Sequence, residues 1–157
     1  MKRRHDIPHV NLRIERWHRA SIYGVVLLLT ATGIAWLLAH YFLRRAGEFG
    51  ETIHPIEPLS MKLHGAAAMA MLFFAGSVMN SHIRRALRAG RNLTQGWSLL
   101  VALALLALSG YGLWYLAGEQ SRVVWSVTHW VVGLIFPGLL IWHIAHGRRL
   151  RAASHMS

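Results

Sequence analysis

Cysteine is absent from this chain of 157 residues. That one absence removes disulfides, thiolate-ligated haem, iron–sulfur clusters and cysteine-based zinc sites. Carboxylates are scarce too, six against seventeen lysines and arginines. None of the charged residues falls in the long apolar runs Ala20 to Leu43, Leu63 to Ile83, Asn92 to Gly118 and Val123 to Gly147. Each run exceeds the roughly 20 residues a helix needs to cross about 30 Å of hydrocarbon.

What is present is apolar, 54% of the residues, and it is gathered into those four blocks instead of being spread at amphipathic spacing. The expected fold is all-α: a four-helix transmembrane bundle forming a single membrane domain over residues 1–157. Its helices are expected at about 17–43, 60–83, 94–117 and 122–147. The basic N-terminal arm carries no small-residue cleavage site after a short apolar core, so the first helix is expected to be retained.

The formal net charge of +11 is distributed unevenly. Arg and Lys collect in the N-terminal arm, in the connection holding Arg84, Arg85, Arg88 and Arg91, and in the tail with Arg148, Arg149 and Arg151. The other two connections hold only Arg44, Arg45, Lys62 and Arg122. The positive-inside rule therefore puts both termini in the cytoplasm, where the arginines also suit anionic membrane lipid. Nucleic acid is excluded as a partner, because no basic, aromatic-bearing soluble module exists to bind it. His5 and His9, in an arm broken by Pro8, read as solvated surface groups along the headgroups.

The fourth run, VVWSVTHWVVGLIFPGLLIWHIAHG, carries His129 and His143 fourteen residues apart. Fourteen residues is nearly four helical turns, so both imidazoles leave one face about 21 Å apart along the axis. Each needs an opposing group. His64 opens the second helix beside Gly65 and three alanines, and His18 opens the first between Trp17 and Arg19. Depth pairs His64 with His129 at the outer level and His18 with His143 at the inner one.

An alternative inner pair is His82 with His146. His146 points about 100° away from His129, while His143 stays within about 40°. His82 stands against Arg84-Arg85, which suggests a headgroup position from which it hydrogen-bonds a propionate. The expected inner ligands are therefore His18 and His143, with His82 and His146 beside them.

Ionisable groups inside a bilayer are costly and usually functional. Two histidines per level, with no carboxylate or thiolate in any span, fall short of a tetrahedral or facial-triad metal site and suit a haem held by two imidazoles. Lys62 and Arg122 outside, and Arg16 and Arg19 inside, are candidates for pairing haem propionates, with interfacial snorkelling as their other use. The outer connection, RRAGEFGETIHPIEPLS, holds Glu48, Glu51, Glu57 and His54. It reads mainly as a solvated loop, or as a dock for a redox partner. A histidine-relay proton or metal transporter and a membrane anchor without redox role are the competing functions.

The pattern resembles the four-helix di-haem cytochrome b superfamily, which includes bacterial cytochrome b561 and the cytochrome b subunits of membrane hydrogenases and formate dehydrogenases. The likeness runs from about Arg13 to Arg149. It rests on one histidine near the start of helix one, one in helix two and the fourteen-spaced pair on helix four, here His18, His64, His129 and His143. The resemblance implies two haem b groups and single-electron transfer across a bacterial inner (cytoplasmic) membrane. It also implies quinone or quinol on one side and a periplasmic redox protein or partner subunit on the other, with oligomers open.

Overall fold

The computed structural model describes residues 14–48, 50–88, 90 and 93–153; the N-terminal arm with His5 and His9, and Arg91 of the basic connection, lie outside the described residues. Helix α1 spans Arg16–Phe42 and is followed by a small hairpin, β1 (Arg45–Gly47) and β2 (Gly50–Thr52). Helix α2 spans Ile56–Ser77, continues into a π-helical turn over Met79–Ile83, and leads to the short α3, Arg84–Arg88. Helices α4 (Leu93–Tyr115) and α5 (Arg122–Ala153) complete the chain.

Four of these helices are long and apolar enough to cross a membrane, Arg16–Phe42, Ile56–Ser77, Leu93–Tyr115 and Arg122–Leu150. Their outward faces remain apolar, with Leu27 and Phe73 71% and 70% exposed. In water such faces would cost free energy in proportion to their area, and in lipid they cost nothing. The chain is a multi-pass membrane protein of four-helix design.

Three boundaries differ from expectation. Helix α2 starts at Ile56, not near residue 60, even though Pro58 lies in its first turn. A proline there sacrifices only an N–H that has no intrahelical partner, so it breaks nothing. The sequence also gave no sign of the antiparallel β-hairpin, in which Gly47 faces Gly50. Gly50 has φ of +112°, which favours glycine, and a Cβ on Gly47 would press on Thr52 Oγ1 at 2.7 Å. Finally, α5 continues past Gly147 to Ala153 and passes through Pro137 without ending. Arg148 and Arg149 thus lie in its last turns, where cations complement the helix dipole.

Helix α1 packs closely along α2, and α4 along α5, whereas the two hairpins touch each other mainly through α1 and α5. Glycine permits the close approach at the β-hairpin end: a Cβ on Gly112 would meet the Trp125 ring at 2.6 Å. At mid-height Val26, Met71, Ala102 and Phe136, one from each long helix, form the buried core. Among the described residues no large side chain is fully buried. The bundle is therefore two tight hairpins with a loosely filled interior between α2 and α5.

Candidate functional site: two opposed histidine pairs

Two imidazole pairs lie at different heights in that interior. Towards the β-hairpin end, His64 of α2 faces His129 of α5 with ring centroids 6.1 Å apart and planes at 70°. Towards the end carrying the termini, His82 faces His143 at 6.2 Å and 85°. All four rings are half-buried.

Each histidine of the first pair rests against the partner helix of its own hairpin. His64 Nδ1 lies 3.0 Å from Thr32 Oγ1, and a Cβ on the next residue, Gly33, would stand 3.5 Å from the ring. His129 Nδ1 lies 2.9 Å from Ser109 Oγ, and a Cβ on Gly110 would stand 3.3 Å from that ring. The two hairpins thus use the same device, a hydroxyl residue followed by glycine on the first helix and a histidine on the second.

Thr32 and Ser109 were missed from sequence. The signal was available in the two hydroxyl–glycine dipeptides, Thr32-Gly33 and Ser109-Gly110. In apolar helices such pairs also serve ordinary close packing, and only the facing histidines distinguish them.

The pair near the termini is a correction. His143 was expected to face His18, and it faces His82. His18 Nε2 instead lies 2.8 Å from Ser77 Oγ, and its ring lies tilted against Trp17 and meets the edge of Phe74. His82 lies in a π-helical turn, in which Ile83 N–H donates to the carbonyl of Val78, five residues back. An eighteen-residue interval, about five full helical turns, already sets His82 on the side of His64; the adjacent Arg84-Arg85 point to the headgroups instead. His146 is half-buried on α5 three residues beyond His143.

Beside His82 and His143 lies a cavity of about 440 Å³, walled by Val78, Leu99, Leu103, Phe136 and Leu140. Arg19 and Arg148 border it as well. Of the basic residues expected near the ligands, Arg19 alone lines this space. Arg16 and Lys62 are exposed, and the Arg122 guanidinium reaches the Ala117 carbonyl at 3.4 Å. Arg148 was not anticipated.

The outer connection is more ordered than a solvated loop. Glu57, 4% exposed, accepts Arg44 Nε and Nη2, both at 2.8 Å. His40 Nδ1 lies 3.3 Å from the same carboxylate and its ring stacks on Trp36. Arg44 also donates to Glu51 at 3.1 Å. Glu57 first and Glu51 second raise the Arg44 guanidinium above its ordinary value, so it stays charged. His54 Nδ1 accepts the Ile56 N–H at the start of α2.

A haem fits the two pairs on three counts. An iron held between two imidazoles sets their ring centres roughly 6 Å apart, from about 2.0 Å for each metal–nitrogen bond and about 1 Å from nitrogen to ring centre. The donor set also suits it. Among the described residues no three His, Cys, Asp or Glu side chains converge, so each pair matches a metal that brings its own equatorial ligands. Third, Trp130 Nε1, one residue from His129, is buried with no hydrogen-bond partner among the described residues. A buried orphan donor costs about 1–3 kcal/mol, which an acceptor on a bound group would offset.

Comparison with protein-family models, with curated proteins and with solved structures returned no match for this chain.

Proposed function

We propose that this chain is a di-haem b-type membrane cytochrome, similar to bacterial cytochrome b561, that passes single electrons across a bacterial inner membrane. The observation that carries the reading is the recurrence of one arrangement at two heights, two imidazoles about 6 Å apart in the gap between two hairpins. Edge-to-face aromatic contacts fall in the same distance range. Ring contacts alone, however, do not account for the same arrangement recurring at two heights among half-buried histidines of an apolar bundle, where ionisable side chains are costly.

In this reading His64 and His129 hold one haem, and His82 and His143 the other. Arg19 and Arg148, which border the cavity beside His82 and His143, would pair carboxylate groups of the second haem. When bound, a haem held by two imidazoles would supply one-electron exchange. Val26, Met71, Ala102 and Phe136 keep water out between the two levels. Phe136 stands seven residues from His129 and seven from His143.

The basic residues Arg84, Arg85, Arg88, Arg148 and Arg149 mark the end with the termini as cytoplasmic by the positive-inside rule. The β-hairpin end then faces the periplasm, where a soluble redox protein or a partner subunit exchanges electrons. A quinone or quinol in the membrane is the other reactant. Protein reconstituted in vesicles and offered quinol is expected to become reduced within the lifetime of a stopped-flow trace, then reoxidise with an external acceptor. Haem that stays oxidised in the presence of quinol would remove the quinone half of the proposal.

A further inference from the structure

We infer that Thr32 and Ser109 are positioning residues that fix the tautomer of His64 and His129, keeping the proton on Nδ1 so that a bare Nε2 is offered to the gap between the hairpins. The inference rests on the cytochrome reading for its purpose, though not for its geometry.

Thr32 has one hydroxyl proton. Its Oγ1 donates to the carbonyl of Leu28 at 2.7 Å, with Leu29 at 3.1 Å. A hydroxyl that has spent its proton on the backbone can only accept from a third group. His64 Nδ1, 3.0 Å away, must then be the donor. Neutral imidazole carries a single N–H, so Nε2 is left with its lone pair.

Ser109 repeats this on the other hairpin. Its Oγ donates to the carbonyl of Leu106 at 3.3 Å and stands 2.9 Å from His129 Nδ1. The carbonyl bond is longer here, so the serine constrains its histidine less firmly than the threonine does. Both hydroxyl residues are buried, Thr32 at 6% and Ser109 at 3% exposure, so water does not compete for their bonds.

Back-bonding of Ser and Thr to a carbonyl one turn earlier is ordinary in apolar helices and means little alone. Three further facts give it a role. Each hydroxyl meets a histidine nitrogen, each is followed by a glycine that lies beside the same ring, and the two histidines so held face each other. A metal-ligating histidine commonly has its remote N–H fixed in this way, and loss of the fixing group typically costs 10–100-fold in affinity.

The test begins with cofactor-free protein labelled with ¹⁵N-histidine, at a pH where the imidazoles are neutral. His64 and His129 are expected to show a protonated Nδ1 and a bare Nε2. In Thr32→Val, which keeps the shape and loses the hydroxyl, the Nδ1–H fraction at His64 is expected to fall about tenfold relative to Nε2–H. Thr32→Ser restores it, and Ser109→Ala produces a smaller shift at His129. In loaded protein, Thr32→Val should bind haem at the His64 level 10–100-fold more weakly and alter its electron paramagnetic resonance signature, again with rescue by serine. A proton found on Nε2 in the wild type, or tautomer ratios unmoved by Thr32→Val, would overturn the inference. A protein that shows the expected tautomers and binds no haem would support the positioning and refute the cytochrome.

Discussion

His82 and His143 face each other at 6.2 Å across the interior, His82 from the π-helical turn Met79–Ile83 and His143 from α5. In the proposed reading that contact puts His82 among the four haem-holding histidines, while His18 is bonded to Ser77. His82→Ala is therefore expected to lower haem content from two to one per chain, while His18→Ala keeps both. Pyridine haemochrome assay against protein concentration reads this directly. Two haems retained in His82→Ala, with one lost in His18→Ala, would return the inner site to His18.

Three glycines give a graded prediction. A Cβ on Gly33 would meet the His64 ring at an ordinary 3.5 Å, one on Gly110 would stand 3.3 Å from His129, and one on Gly112 would overlap the Trp125 ring at 2.6 Å. Alanine gains about 0.5–1 kcal/mol over glycine in a helix interior, and overpacking costs about 1–3 kcal/mol. Gly33→Ala should thus be neutral or stabilising, Gly112→Ala clearly destabilising, and Gly110→Ala intermediate. Thermal unfolding in detergent gives the order, and an inverted order would contradict the packing described here.

Glu57 and Arg44 form a two-armed ion pair that ties the end of α1 to the first turn of α2. Breaking a buried pair leaves an uncompensated charge. Glu57→Gln is expected to lower the unfolding midpoint by a few degrees and to open residues 45–53 to proteolysis. Unchanged melting and cleavage would mean that the pair does not hold the hairpin.

The four spans and the His64–His129 level were legible because hydrophobic run length and the fourteen-residue spacing on α5 are properties of one helix at a time. The start of α2 was not, because Pro55 and Pro58 read as breakers although a helix tolerates proline in its first turn. The partner of His143 was not legible either. The 18-residue interval on α2 did give His64 and His82 a shared face, but Arg84-Arg85 read as a mark of the headgroups, and which histidine meets His143 depends on how the helices pack. The hydroxyl partners Thr32 and Ser109 depend on which helices are neighbours. The Arg44–Glu57–His40 cluster depends on how the outer connection folds back, and that too is absent from local pattern.

The central claim is that two bis-imidazole haems fill the gap between the hairpins. Reduced-minus-oxidised optical spectra of the purified chain, with iron and haem counted per polypeptide, test it most directly. The account predicts low-spin b-type bands and two haems per chain, falling to one in His129→Ala. A colourless protein, or a haem content that His129→Ala leaves unchanged, would contradict it.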